Sequence, residues 1–266
     1  MKIVVPIKQV PESGNVKMDS ETGTVIRAGV ETVVNPLDLY ALEAALRLKE
    51  QYGGTVRAVS MGPPQAMKAL KEAVAMGCDD GILVSDRKFG GSDTYATSYT
   101  LSRAIHTIGG CDIIITGERA TDGDTAQVGP GIAAWLDIPL AAYVSKIENI
   151  EQGYIHVERM VEEGCQCLAV PLPCLLTVVK AAASPRLPTL KGKLRSMNAP
   201  IPVFSAETME LDAEKLGLAG SPTRVVKITS PKVTRGGKTI RVQDEDSLQT
   251  AVDELMRLLE TKGLLP

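Results

Sequence analysis

The chain has few aromatic residues, no excess of positive charge and no long apolar run. Phe, Trp and Tyr make up 3% of its 266 residues, so its core must be built from aliphatic side chains. The net charge of −3 gives no reason to expect a nucleic-acid partner or an acidic membrane surface. No run of 18 apolar residues indicates a membrane span. We therefore expect a globular protein with no nucleic-acid partner and no membrane span.

Cysteine usage and the N-terminus favour a reducing compartment. Five cysteines, an odd number with irregular spacing, fit free thiols better than a disulfide framework. The opening MKIVVPIKQV begins a strand almost at once, with no long apolar segment and no small-residue cleavage site. We therefore expect a cytoplasmic protein.

Motifs for hydrolytic or metal chemistry are also missing. The chain has no G-x-S-x-G, H-E-x-x-H or C-x-x-C motif. Its two histidines, His106 and His156, lie in a predicted helix and a predicted strand and are interpreted as structural. Cys165 and Cys167 are interpreted as ordinary small residues. We predict no metal site and no catalytic side chain, so that any chemistry belongs to a bound cofactor.

The first half of the chain alternates strand and helix patterns. Asn35 is the predicted N-cap of the first helix, with Pro36 in its first turn, and Asp93 is the predicted N-cap of the third. The predicted strands are Ile3–Ile7, Val56–Ser60, Ile82–Val84 and Ile113–Thr116. This alternation predicts an α/β fold, a Rossmann-like nucleotide-binding domain with a mainly parallel sheet and helices on both faces.

The pattern changes after about residue 140. Residues 181–235 are rich in Pro, Ser, Thr and Lys, with one predicted short helix near Ala206–Leu216, and such a segment more often lies across a partner. The amphipathic stretch from Leu248 to Lys262 either returns to its own domain or packs on a partner subunit. We predict an α/β domain over 1–180 and an extended C-terminal arm over 181–266. The predicted strands here are Ala141–Ile150, Tyr154–Val161 and Cys167–Val170, which we expect to be antiparallel, and then Cys174–Val179.

The loop ATDGDTAQVGPG, residues 120–131, is the strongest candidate site. It follows the apolar strand that ends at Gly117 and leads into a predicted helix. Free N–H groups and the positive end of a helix attract an anion, and small side chains let a phosphate approach the backbone. The spacing is neither a Rossmann fingerprint nor a Walker loop. A surface loop in which Asp122 or Asp124 caps the helix stays open as the alternative.

Other strand ends and helix starts are expected at the same edge. In an open parallel sheet, ligands bind beyond the carboxyl ends of the strands. The segments 6–8, 60–62 and 85–86 follow predicted strands, while 35–38 and 89–98 lead into predicted helices. Together they could hold a ligand that contains a pyrophosphate, or they could simply be well-capped helices.

Four segments resemble the beta (small) subunit of electron transfer flavoproteins, over nearly the whole length of the chain. Three of them are KIVVPIKQVP, NPLDLYALEAALRLKE and AVSMGPPQAMKALKEAVAMGCDDGILVSD. The fourth, VERMVEEGCQCLAVPLPCLLT at 157–177, resembles the family signature and departs from it at Glu163 and Cys165. Its matching positions are Arg159, Glu162, Gln166, Pro173 and Thr177.

The resemblance implies a heterodimer with a larger, flavin-binding alpha subunit. The segments 61–64, 91–98 and 122–130 are similar to the electron-bifurcating branch, whose beta subunit binds an FAD that accepts a hydride from NADH. One electron then passes through the alpha-subunit FAD to a flavin dehydrogenase, of acyl-CoA or lactate type, and the other passes to ferredoxin or flavodoxin. The alternatives are an ordinary beta subunit that holds a structural AMP, and a stand-alone nucleotide-binding module.

The resemblance also implies which residues bind the cofactor. The backbone of 123–129 would hold the pyrophosphate, and the segment 178–190 resembles a recognition loop for the dehydrogenase. Residues 218–266 would be ordered mainly by a partner. Asn35, Asp38 and Met61 would lie near the adenosine, and Asp93, Thr94 and Thr97 near a phosphate or the flavin. The predicted cofactor-binding residues are Pro6, Lys8, Asn35, Asp38, Ser60, Met61, Asp93, Thr94, Thr97, Arg119, Ala120, Thr121, Asp122, Gly123, Asp124, Thr125, Gln127, Val128, Gly129 and Pro130.

Overall fold

A nine-stranded sheet forms the centre of the first of two compact units. The computed structural model describes residues 1–12, 31–226 and 237–264, so that part of the predicted arm, 227–236, lies outside the described residues. The two units are Met1–Val226 and Lys227–Pro266. The first unit therefore extends well beyond the predicted boundary at residue 180.

The sheet is parallel over most of its width. Its strand order is β11-β5-β4-β1-β6-β10-β7-β8-β9, and only β7, β8 and β9 are joined by antiparallel pairs. A separate antiparallel pair consists of β2 (Gln9–Pro11) and β3 (Thr32–Val34). The nine strands are β1 (Lys2–Pro6), β4 (Thr55–Met61), β5 (Asp80–Val84), β6 (Ile113–Gly117), β7 (Leu140–Glu151), β8 (Tyr154–Val161), β9 (Gly164–Pro171), β10 (Cys174–Val178) and β11 (Val203–Phe204).

Helices cover both faces of the sheet, as the sequence predicts. On β1, Ile3 and Val5 pack with α1 and α2 in one core cluster, whereas Val4 packs with α3 and α4 in the other. This alternation follows from the period of two in a strand and gives the parallel sheet two buried faces. The helices of the first unit are α1 (Pro36–Tyr52), α2 (Met67–Met76), α3 (Thr94–Thr107), α4 (Val128–Leu136) and α5 (Leu190–Asn198). The second unit contains α6 (Glu245–Thr261).

The segment after residue 180 departs from the prediction. The helix predicted near Ala206–Leu216 is wrong, because only a single 3₁₀ turn, Ala213–Lys215, forms there. The helix α5 was not predicted. Met209 and Leu216 are buried in the second core cluster, and β11 pairs with β5. Part of the stretch between residue 180 and Val226 therefore packs on this chain's own core, through β11 and the buried side chains of Met209 and Leu216.

The strand β7 also differs from the prediction. It pairs antiparallel with β8, as expected, but parallel with β10 on its other side. The five cysteines are free, as predicted, and Cys165 and Cys167, two residues apart on β9, share one face of that strand. Within the described part of the chain, no helix has the length and apolar character needed to cross a membrane.

Candidate nucleotide site

Three neighbouring parallel strands, β4, β1 and β6, end at one edge of the sheet. Pro6 closes β1, with Lys8 just beyond it, while Ser60 and Met61 close the neighbouring β4. The loop 118–127 leaves β6 at the same edge. The structure therefore brings these predicted residues together where ligands of parallel α/β sheets bind.

Asn35 is the N-cap residue of α1, as predicted, but its side chain holds the start of the loop and makes no capping hydrogen bond. Its buried side chain donates from Nδ2 to Arg119 O (2.9 Å) and accepts at Oδ1 from Thr121 N (3.2 Å). The predicted capping bond is absent, because both ends of the amide are already used by the loop. Pro36 begins the helix as predicted. Arg119, Ala120 and Thr121 are thereby fixed against the start of α1.

Asp38 joins the ends of β1 and β6. This buried carboxylate accepts a hydrogen bond from Lys8 N at Oδ2 (2.7 Å). A Cβ built on Gly117 would lie 2.6 Å from Asp38 Oδ1, so only glycine allows this close approach. Burial raises the pKa of Asp38 to about 7, although hydrogen bonds from Lys8 N–H and from Asn35 act to lower it. Asp38 can therefore change its charge near neutral pH.

Titration of Asp38 should appear directly as a loss of stability with rising pH. The pKa of Asp38 is higher in the folded protein than in the unfolded chain. The contribution of this carboxyl to the free energy of unfolding is therefore fully present below pH about 4 and is lost as the pH rises through about 7. The loss amounts to about 4 kcal/mol for a shift of about three pKa units. We expect an infrared band of a buried, protonated carboxyl that disappears through pH about 7 and is absent from Asp38→Asn. Identical spectra of the two proteins at pH 5 would contradict this.

The acidic side chains of the loop pair with cations. Lys8 Nζ lies 2.6 Å from Asp122 Oδ1, and Arg119 Nε lies 3.2 Å from Asp124 Oδ1. Neither carboxylate caps α4, whose N-cap is Gln127 and has no side-chain capping bond. The alternative in which Asp122 or Asp124 caps the helix is therefore wrong. The first turn of α4 keeps N–H groups that are free of a side-chain cap, which suits an anion.

The loop holds two non-glycine residues in the left-handed region. Asp124 has φ 54° and Ala126 has φ 56°, with the exposed Thr125 between them. An alanine in this region costs about 1 kcal/mol and persists only where its surroundings fix it. Such backbone strain is typical of ligand-binding loops.

The glycines of the loop have different roles. A Cβ built on Gly123 meets no atom of the described residues within 4 Å. A Cβ on Gly129 would lie 2.8 Å from Thr116 Oγ1, so that glycine serves the packing of α4 on the sheet. Val128 and Pro130, beside it in the first turn, are half-buried. The backbone at Gly123 therefore has open space beside it, whereas Gly129 is closely packed.

The start of α3 is linked to the end of the loop. Thr94 Oγ1 donates to Gln127 Oε1 (3.0 Å), and Thr97, in the first turn, is half-buried. Both carboxylate oxygens of Asp93 are already bonded: Oδ1 caps α3, as predicted, and Oδ2 accepts from Thr223 N and Oγ1. Thr94 and Thr97 stay predicted ligand contacts, while Asp93 orients the helix that carries them.

Three buried polar atoms lack a hydrogen-bond partner among the described residues. They are Ser60 Oγ, Thr116 Oγ1 and Gln9 Nε2. Each lies near the carboxyl end of β4, β6 or β1, and an unpaired buried polar atom calls for a ligand or water. Ser60 is in the predicted set, whereas Thr116 and Gln9 are not. A hydroxyl closing the otherwise apolar run Ile113–Ile115 is the signal that could have revealed Thr116.

Metal chemistry finds no support in the described ranges, which contain no group of three or more His, Cys, Asp or Glu side chains placed to hold an ion. His106 lies in α3 and His156 in β8, as predicted. His156 Nε2 is 3.5 Å from Glu151 Oε1.

Taken together, the residues at this edge fit a phosphate-containing nucleotide. The exposed loop with an open glycine offers backbone N–H groups, and α4 adds its positive end. Lys8 and Arg119 supply positive charge near the loop, and each can exchange its carboxylate partner for a phosphate. The unpaired Ser60 hydroxyl is a further donor.

Comparison with known proteins decides the family. Residues 22–209 match the electron transfer flavoprotein domain. The chain belongs to the electron transfer flavoprotein family. The resemblance seen in the sequence is thereby confirmed, and the chain is of the beta-subunit type and functions in electron transfer.

Three relatives show how closely it is related to this family. The electron transfer flavoprotein subunit beta of Thermoanaerobacterium thermosaccharolyticum is 45% identical over 96% of this chain and 98% of its own length. The caffeyl-CoA reductase-Etf complex subunit CarD of Acetobacterium woodii is 45% identical over 90% of this chain and 92% of its own length. The acryloyl-CoA reductase electron transfer subunit gamma of Anaerotignum propionicum is 41% identical over 97% of this chain and 98% of its own length.

Proposed function

We propose that this electron transfer flavoprotein subunit binds FAD at the loop 120–131 and takes part in electron bifurcation with an alpha subunit. The single observation that carries the proposal is the open Gly123 in front of the uncapped start of α4. When bound, the flavin supplies the conversion of a two-electron hydride donor into two one-electron transfers. NADH would provide both electrons, of which one would go to the alpha-subunit FAD and the dehydrogenase and the other to ferredoxin or flavodoxin.

This chain's own residues bind and orient the cofactor. N–H groups of the loop and of the first turn of α4 would donate to the pyrophosphate, and Lys8, which lies beside the loop at Asp122, would offset its charge. Asn35 keeps the loop in place, and Asp38 fixes the backbone beneath it. Thr94 holds Gln127, so that the starts of α3 and α4 stay together. The second candidate, a structural AMP, would use the same adenosine contacts and the contacts of one phosphate, and it lacks the second phosphate, the ribityl chain and the flavin ring.

The partner enzyme is proposed to be a flavin dehydrogenase that acts on CoA thioesters. Two relatives carry the names of a caffeyl-CoA and an acryloyl-CoA reductase, which favours this class over the lactate type. NADH should reduce ferredoxin through the heterodimer only when such a dehydrogenase and an enoyl-CoA acceptor are present. Ferredoxin reduction that proceeds at the same rate without the acceptor would contradict coupled transfer, and no ferredoxin reduction at all would favour the AMP alternative.

The segment 178–190 is proposed to dock on that dehydrogenase. Its side chains Leu187 and Leu190 are 87% and 76% exposed, so both are available for contact with a partner. Ala182, by contrast, is half-buried and packs against the core, so a substitution there would also disturb folding.

Leu187→Asp should slow electron delivery to the dehydrogenase. Burying a leucine at an interface contributes about 1.5–3 kcal/mol, so kcat/KM for the dehydrogenase should fall by about 10- to 100-fold. Reduction of the heterodimer by NADH should not change, since Leu187 lies outside the nucleotide site. Leu187→Met keeps the apolar volume and serves as the control. An equal effect of Leu187→Asp on both steps would argue against docking.

A further inference from the structure

Arg186 ties the docking segment 178–190 to the helix α1. Its backbone N and its Nε both donate to Glu43 Oε2, at 3.1 and 2.8 Å, and its Nη2 donates to Glu43 Oε1 (3.2 Å). The same guanidinium donates from Nη1 and Nη2 to the two carboxylate oxygens of Glu50. Such a fork-shaped contact fixes the direction of the arginine as well as its position.

Glu43 is a buried anchor for this contact. Its side chain is 4% exposed, and it also accepts from Arg47 Nε (2.9 Å). Burial acts to raise the pKa of Glu43, but the hydrogen bonds from Arg186 and Arg47 outweigh it and hold that pKa below its ordinary value. The carboxylate therefore stays charged and ready to bind the arginine at neutral pH.

The segment around Arg186 is stiff on both sides. Pro185 and Pro188 fix their own φ angles and favour an extended backbone in the residue before each of them. Thr189 Oγ1 then accepts from Gly192 N (3.0 Å) and caps α5. Leu187 lies between the arginine contact and this cap, and its side chain is 87% exposed.

We propose that Arg186 is a positioning residue, which holds Leu187 in the orientation that the dehydrogenase requires. This inference rests on the proposed docking of 178–190. A loop that is ordered before binding loses less conformational freedom on association, so the contact with α1 increases affinity without touching the partner. Loss of the contact should therefore raise KM for the dehydrogenase by about 10-fold and leave kcat nearly unchanged.

The test compares Arg186→Met, Arg186→Lys and the double variant Arg186→Met/Glu43→Gln in the heterodimer, with an acyl-CoA dehydrogenase as electron acceptor. The double variant leaves no unpaired buried carboxylate, so it separates positioning from a general loss of stability. We expect the higher KM in all three variants, with the smallest change in Arg186→Lys, and faster hydrogen exchange at residues 184–190. NADH reduction should match the wild-type rate.

The positioning role of Arg186 and the docking of 178–190 are contradicted by different results. If Leu187→Ala raises KM for the dehydrogenase and the Arg186 variants do not, the positioning role is wrong while docking stands. If neither residue affects KM, the docking of 178–190 is itself wrong. A lower melting temperature with unchanged KM and unchanged exchange at 184–190 would show that the arginine only stabilises the fold, which overturns the inference.

Discussion

Gly123→Glu should remove one flavin from the heterodimer while the subunit stays folded. A Cβ at this position meets no described atom within 4 Å, so the new side chain has room in the chain itself. Its carboxylate would face the pyrophosphate of the bound nucleotide. Two charges of like sign about 4 Å apart near a protein surface repel by about 4 kcal/mol. Affinity should therefore fall by about 100-fold or more, and the flavin count should fall from two to one.

The charge effect is separated from the steric effect by Gly123→Ala and Gly123→Gln. The Gly123→Ala heterodimer should keep both flavins. The flavin content of Gly123→Gln should lie between those of Gly123→Ala and Gly123→Glu, because glutamine has the size of glutamate without its charge. Circular dichroism and the melting temperature report whether each variant is folded. A folded Gly123→Glu heterodimer that still holds two flavins would show that the nucleotide does not bind at this loop.

Truncation after Val226 should leave a folded first unit that binds the alpha subunit far more weakly. The boundary is chosen because Leu218 N donates to Gly90 O and Thr223 donates to Asp93, so that a cut at residue 217 would remove bonds of the first unit. The second unit contains α6 with an apolar face that is half exposed. The exposed large apolar side chains on this helix are Leu248, Val252, Leu255, Met256 and Leu258, which are 44–55% exposed.

The expected size of the effect follows from that apolar face. Covering the exposed half of five such side chains contributes about 5 kcal/mol before ordering costs, so Kd should rise by at least about 100-fold. The sequence predicts that residues 218–266 are ordered mainly by a partner. This truncation tests that prediction for residues 227–266. Substituting Leu255→Ser in the full-length chain gives a smaller change in the same direction. Full protection of α6 from hydrogen exchange in the isolated subunit would contradict a role for the alpha subunit in ordering it.

Much of the fold could be predicted because local patterns and tertiary packing agree. The aliphatic runs that form β1, β4 and β6 are buried on both faces, and Asp93 caps α3 by its side chain as its position suggests. The helix α5, LKGKLRSMN, was missed because it is polar and contains a glycine. A Cβ at Gly192 would lie 2.1 Å from Ala75 O, so the close packing of α5 on α2 requires glycine at this position. The local sequence pattern does not reveal this contact.

The candidate site was predictable in outline but not in its details. The strand ends and the glycine loop predict one edge of the sheet as the site, and the structure brings these segments together at that edge. The sequence predicts that the side chain of Asn35 caps a helix. Its hydrogen-bond partners, Arg119 and Thr121, lie more than 80 residues away in the chain. The bond between Arg186 and Glu43 spans a still longer separation. Such pairings depend on the completed fold, so they are invisible to periodicity and spacing.

The most direct test of the proposed FAD site is the nucleotide content of the purified heterodimer. Denaturation releases bound nucleotides, and chromatography with absorbance detection counts FAD and AMP separately. We predict two FAD per heterodimer and no AMP. One FAD with one AMP would show that this subunit carries only a structural nucleotide, which would contradict the proposed FAD site and with it electron bifurcation.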